Sequence, residues 1–222
     1  MQKLKHIEIN IGKACNNKCR FCMSAWVGYD ELQLTKFELV KKEIDDYADK
    51  WYISIWFLWG DISIHPNIYE IIAHCKSSGF VNINVITNAM LFSDMEKATK
   101  LVKSWVTRVN ISIHSHENSI EDYLTQVEWG LAKKLVAIDN FNILHNEGLL
   151  QNPLSINLVL NQLNLRSIVK TCEYFHKQKS IHDIRINFLW NRYFFTPEDK
   201  KQLELSYREF LPYLKNLVYI AL

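Results

Sequence analysis

Three cysteines fall within eight residues, in the run Cys15-Asn-Asn-Lys-Cys19-Arg-Phe-Cys22, a C-x3-C-x2-C pattern. Thiolates so spaced can wrap one face of a cubane iron–sulfur cluster, and such clusters are normally held by four cysteines. With only three local ligands, one iron keeps an open position. An open metal position is where a metal does chemistry, as in catalytic zinc sites. Two other readings compete. The i, i+4, i+7 spacing also gathers three residues on one helix face, as plain core, but Asn16 and Asn17 favour a turn. A zinc site needs a fourth ligand, such as Cys75, Cys172 or a distant histidine. Cys75 and Cys172 fall on helical patterns, where a cysteine packs as a small hydrophobe.

The five cysteines are odd in number and clustered, which suits a metal centre in a reducing compartment better than a secreted disulfide scaffold. The 26 basic and 24 acidic side chains leave a net charge of +2. Such balance gives no electrostatic argument for nucleic acid or an anionic membrane. No apolar run approaches the ~20 residues of a membrane helix, and the opening MQKLKHIEIN lacks the apolar core of a signal peptide. A cytoplasmic protein is the expectation.

The elements that must position the cysteines alternate along the chain. Strands are predicted over residues 6–11, 51–59, 81–87, 106–113, 154–160 and 184–189, with one more at 217–222. Helices are predicted over 35–49, 66–78, 93–103, 131–145, 167–178 and 196–213. Thr35 with Glu38 carries a capping-box signature, Pro66 opens its helix, Gly79 closes it, and Thr196-Pro197-Glu198 caps the final one. Near-continuous apolar strands alternating with helices mean a parallel sheet covered by helices. Six such units favour a closed or nearly closed barrel in one domain, residues 1–222, with the site at the C-terminal ends of the strands. The cysteine run follows the first strand, at that end. A barrel strand wants a covering helix, so a last strand fits a chain cut short.

With these residues in place, the chain resembles the radical S-adenosylmethionine superfamily, whose hallmark is C-x3-C-x2-C with an aromatic before the last cysteine, here Phe21. The resemblance implies a partial (β/α)6 TIM-type barrel and a [4Fe–4S] cluster on Cys15, Cys19 and Cys22. The family's Gly-Gly-Glu-Pro motif is matched loosely by Trp59-Gly60-Asp61-Ile62, with Trp59 in place of the first glycine. A carboxylate and exposed backbone groups at a strand end suit the ammonium of a bound amino acid, and Asp61 keeps that charge. Thr87-Asn88-Ala89 is similar to Thr-Asn-Gly. By resemblance Thr87, Asn88, Ser112 and Asn157 hydrogen-bond the carboxylate and ribose of S-adenosylmethionine. Asn110, Ser112 and His114 share one strand face, where Asn110 is expected to be satisfied by its neighbours or by water. His114 and His116 form an i, i+2 pair, for which zinc binding is the lesser reading. His65 is expected to shape its turn, and Trp51, Trp56, Trp105 and Trp190 to pack.

The resemblance implies a reaction in which an electron from the reduced cluster cleaves S-adenosylmethionine to methionine and a 5′-deoxyadenosyl radical. The radical then takes a hydrogen atom from a substrate. The protein supplies position and a dry cavity. A low cluster potential implies an external reductant such as flavodoxin or ferredoxin. Competing with this enzyme are a degenerate or truncated relative that keeps the cluster without turnover, suggested by Trp59 and Ala89, and a zinc-binding structural protein. The substrate is not legible.

Overall fold

The computed structural model describes residues 5–22, 34–181, 183–189 and 196–221. Six strands, β1 (His6–Asn10), β2 (Ser54–Leu58), β3 (Asn82–Thr87), β4 (Arg108–Ser112), β5 (Ser155–Leu160) and β6 (Asp183–Phe188), pair in chain order. All the pairings are parallel. Parallel neighbours need long crossovers. These are supplied by α1 (Phe37–Ala48), α2 (Ile68–Ser77), α3 (Met95–Lys103), α4 (Asn118–Thr125) with α5 (Gly130–Asn146), and α6 (Ile168–Glu173), which continues into a π-helical turn at Tyr174–Gln178. The sheet is an open, partial barrel with β1 and β6 at its edges. It curls nonetheless, because the Arg185 guanidinium on β6 lies 5.0 Å from the centre of the Trp56 ring on β2.

The strands alternate, rather than being apolar on both faces as expected. Ile55, Phe57, Ile83, Val85, Val109, Ile111, Ile156 and Leu158 are fully buried with helix residues such as Val40, Ile44, Ile72, Leu101 and Phe141. Each such side chain contributes roughly 1.5–3 kcal/mol on leaving water. The opposite, concave face is polar. His6, Glu8, Ser54, Trp56, Asn82, Ile86 and Arg185 line a cavity of about 410 Å³ there. A filled α/β barrel packs branched aliphatic side chains at its centre, whereas this one keeps polar groups and open space.

Helices that lead into strands end on a residue with positive φ: Trp51 at 65°, Gly79 at 96°, Trp105 at 82°, Gly148 at 74° and Ser180 at 55°. A left-handed residue past the last turn is a common helix stop. It lets Tyr52, Phe80 and Leu149 each donate an N–H to the carbonyl five residues back, on Tyr47, Cys75 and Leu144. This geometry corrects two expectations. β2 starts at Ser54, because Trp51 closes α1. Trp51 and Trp105 are also 81% and 61% exposed instead of packed, since the left-handed turn points them outward; Trp190 lies outside the described residues.

Helix ends differ elsewhere. α1 is capped at Lys36 with no side-chain hydrogen bond. Thr35 is not its cap, because its backbone is engaged with Ile11 O at 3.0 Å and with His65 Nε2 at 2.9 Å. α2 starts at Ile68, two residues beyond Pro66. The final helix is two: α7 (Pro197–Leu203), capped by Thr196 as expected, and α8 (Tyr207–Ala221). The predicted strand at 217–222 is the end of α8 as far as Ala221, and Leu222 lies outside the described residues. Phe210, Tyr213 and Leu217 pack on the main core at helical spacing. A capping box does open α8, where the Ser206 N–H donates to Glu209 Oε2 at 2.8 Å and the Glu209 N–H to Ser206 Oγ at 3.4 Å.

Candidate functional site

The cysteine run lies in the loop beyond β1, at the C-terminal edge of the sheet, and it is not helical. Its first side is fastened to the turn after β2, where the Asp61 N–H donates to Ala14 O at 2.7 Å. Gly60 makes this contact possible. A Cβ there would stand 2.4 Å from Ala14 O and 2.8 Å from Gly12 O, and its φ is +56°. Trp59 and Ala89, both standing where the family has glycine, adopt φ of 75° and 61°. The two turns thus keep the conformation that glycine would take without strain. The loop's other side is fastened to the end of α4, where Lys18 and Arg20 donate N–H groups to Thr125 O at 3.0 Å and Leu124 O at 2.9 Å. Phe21 is buried with Leu124 and Leu203 and meets the His114 ring edge-on at 4.7 Å.

Cys15, Cys19 and Cys22 are free thiols of intermediate burial. Burial pushes Cys15 up to about 11 and Cys19 up to about 12, so both favour the neutral thiol without a cation to hold the thiolate. N–H groups already point at the sulfurs. The Asn17 backbone N–H lies 3.3 Å from Cys15 Sγ, and the amides of Asn88 and Asn17 lie 3.8 and 3.9 Å from Cys15 and Cys19 Sγ. Asn17 Oδ1 is buried without a partner. Among the described residues, no three His, Cys, Asp or Glu side chains are gathered tightly enough for one metal ion. Cys75 and Cys172 are buried in the main core, as their helical positions implied. This donor set fits an iron–sulfur cluster, which spreads its thiolates over separate irons and accepts N–H hydrogen bonds at sulfur.

Asp61 is buried and committed to the chain's own groups. It accepts from Ser63 N at 2.9 Å, Ser63 Oγ, Thr87 Oγ1 at 3.0 Å and Asn88 N at 2.6 Å. Burial raises its carboxyl above the ordinary value against the pull of these donors. Asp61 therefore ties the turn after β2 to the end of β3. Asn88 in turn donates to Asn16 Oδ1 at 2.5 Å, which brings β3 against the cysteine loop. Ser112 and Asn157 are half-buried register neighbours on β4 and β5, and Asn187 donates to Asn157 Oδ1. Asn110 is 1% exposed, and neither amide atom has a protein partner, so its neighbours do not satisfy it.

The histidine pair is not a pair. His114 accepts from Val159 N at 3.2 Å, and burial pushes it down to about 4. His116 turns to Thr171 Oγ1 at 2.8 Å and to the Tyr174 ring. The chain leaves strand geometry after Ser112, so the two-residue alternation no longer holds. His65 shapes its turn as expected, receiving the Asn67 N–H at 3.1 Å.

Sequence reasoning missed Glu121 and Lys134, whose side chains are fully buried 2.5 Å apart. Burial works to raise the Glu121 carboxyl, but Lys134, His114 and hydrogen bonds hold it below its ordinary value. One signal was available: Lys134 stands three residues after Leu131 and four before Ile138, a core position on α5.

Two solved structures share the fold. One is anSMEcpe with bound AdoMet and the Cp18Cys peptide, with a TM-score of 0.77 at 18% identity, covering 96% of this chain and 58% of that one. The other is Streptococcus suis SuiB bound to S-adenosylmethionine, with a TM-score of 0.75 at 16% identity, covering 97% of this chain and 48% of that one. The probable GTP 3′,8-cyclase of Saccharolobus solfataricus is 26% identical over 177 residues, which is 77% of this chain and 52% of that protein. Its counterpart in Sulfurisphaera tokodaii is 25% identical over 169 residues, 75% of this chain and 50% of that protein. The chain thus spans about half the length of these curated relatives. Residues 9–175 match the model of the Radical SAM superfamily, and the chain belongs to that superfamily.

Proposed function

We propose that residues 1–222 act as one barrel domain of a radical S-adenosylmethionine enzyme, working in the reducing cytoplasm. The observation that carries this reading is the loop of Cys15, Cys19 and Cys22, held at the C-terminal edge of a parallel partial barrel with N–H groups directed at two of its sulfurs. The three thiolates hold a [4Fe–4S] cluster and leave one iron for S-adenosylmethionine. When bound, the cluster supplies the electron that cleaves S-adenosylmethionine to methionine and a 5′-deoxyadenosyl radical. Phe21 shields the loop from beneath, within its apolar cluster. Gly60 lets the turn after β2 approach the loop, and the backbone there, aligned by Asp61, faces the amino group of S-adenosylmethionine. Thr87 and Asn88 fix the end of β3 beside it, and Ser112 and Asn157 take the ribose. The electron comes from an external reductant such as flavodoxin or ferredoxin.

The concave face points to a small polar substrate that the radical reaches inside the curl. Arg108 and Arg185 share Asp183 at 3.5 and 3.4 Å on that face. Asp183 and Glu8 balance the two guanidiniums, and Arg108 and Asp183 open their strands, at the end away from the cysteine loop. GTP, named in the relatives, is the first compound to test.

Anaerobic reconstitution with iron and sulfide tests the cofactor reading. We expect about four irons and four sulfides per chain, and an EPR signal of the reduced protein that changes when S-adenosylmethionine is added. Stoichiometric zinc with no iron uptake would contradict it.

A further inference from the structure

Arg20 stands between Cys19 and Phe21, and its side chain joins the cysteine loop to two helices. Its Nε donates to Tyr123 O on α4 at 3.0 Å, and its guanidinium lies 4.1 Å from the centre of the Tyr123 ring. Its Nη1 donates to Asp199 Oδ1 on α7 at 3.2 Å, 179 residues further along the chain. The other carboxylate oxygen of Asp199 accepts from Thr196 Oγ1 at 2.7 Å, the residue that caps α7. α7 also accepts the Tyr123 hydroxyl on Gln202 and the Gln162 N–H on Leu203 O at 3.2 Å. Leu203 is the buried side chain of this helix, and it meets Phe21 and Leu124 in the apolar cluster against which Cys19 packs. A helix of seven residues has little stability of its own, and one apolar side chain seats it weakly. Its polar contacts therefore decide whether it stays in place, and the Arg20–Asp199 pair ties it to the cysteine loop directly.

We propose that Arg20 is a positioning residue that clasps α7 over the Cys19 side of the loop, and that α7 so held seals that side of the cluster from water and oxygen. The seal rests on the cluster reading given above, whereas the clasp stands on the chain alone. A guanidinium fork holds two acceptors in a fixed geometry, which an ammonium on a flexible stem does not. Released, α7 withdraws Leu203 from Phe21 and opens the cluster of side chains that backs Cys19. Arg20 and Asp199 act through access to the loop, not through ligation, so their effect is read in exchange and in cluster lifetime.

The test uses the full chain as wild type, Asp199→Asn, Asp199→Glu and Arg20→Lys. In metal-free protein, hydrogen exchange read by mass spectrometry follows the peptides that contain Arg20, whose N–H is bonded to Leu124 O, and those of α7. Exchange in both should rise roughly fivefold in Asp199→Asn and Arg20→Lys, the population change that loss of one charge-assisted hydrogen bond gives. Asp199→Glu, which keeps the carboxylate, should exchange as wild type does. Melting temperature should hold in all of them, because the main core is untouched. After anaerobic reconstitution, the visible absorbance of the cluster should fade in air faster by the same factor in Asp199→Asn and Arg20→Lys. Wild-type exchange in Asp199→Asn would overturn the clasp. So would faster exchange spread over the whole chain with a lowered melting temperature, the mark of a merely structural role. Faster local exchange with wild-type fading would overturn the seal. Wild-type protein that shows no cubane signal would instead overturn the cluster reading, and the exchange of the metal-free chain would still decide the clasp.

Discussion

At Gly60 the backbone of the cysteine loop leaves no room for a side chain, since Ala14 O and Gly12 O already occupy the place of a Cβ. Gly60→Ala should therefore cost about 2–4 kcal/mol, from the left-handed φ and overpacking together. It should also lower iron uptake, both readable by urea unfolding and iron assay. Trp59→Gly, at the neighbouring positive φ, should change stability by no more than about 1 kcal/mol. His114 supplies a pH signature. Burial pushes it down to about 4, below the ~6.5 of an unfolded histidine. Between those two values the unfolded chain binds the extra proton, so stability falls as pH drops from about 6.5 to 4, by about 3 kcal/mol. Urea unfolding of metal-free protein at pH 7 and pH 5 should show about 2 kcal/mol of this loss, and His114→Gln should reduce it. An unchanged slope in that variant would assign the loss to other groups.

At the scale of elements, the repeated device is a left-handed residue at the end of each helix that feeds a strand. Trp105 holds that position at φ 82° while largely exposed. Trp105→Gly should stabilise by about 1 kcal/mol, a rise of roughly 2–4 °C in Tm by calorimetry. Ser206→Ala, which removes half of the box opening α8, should cost about 1 kcal/mol. These cases explain what the sequence concealed. Gly79 announced its turn, but nothing in a tryptophan signals a left-handed stop. The Ser206–Glu209 spacing was as legible as Thr35–Glu38, yet only tertiary contacts decide which one caps a helix. Thr35 is drawn away by Ile11 and His65, whereas Ser206 is free to turn onto Glu209.

Taken whole, the molecule is a sheet that is apolar toward its helices and polar within its curve. Strand order, parallel pairing and the placing of Cys15, Cys19 and Cys22 beyond β1 followed from alternation and from the cysteine spacing alone. The polar interior did not, because the unbroken apolar run Trp56-Phe57-Leu58 hides which side faces inward. Asp61 was also legible as a site residue by its place in the turn, while its commitment to Ser63, Thr87 and Asn88 depends on a strand distant in sequence. The central claim is that this edge of the sheet supports reductive cleavage of S-adenosylmethionine. Reduced, reconstituted protein incubated with S-adenosylmethionine and dithionite should release 5′-deoxyadenosine, counted by chromatography, while the Cys22→Ala variant releases none. Product at or below the level of that variant, from protein carrying a full cluster, would contradict the account.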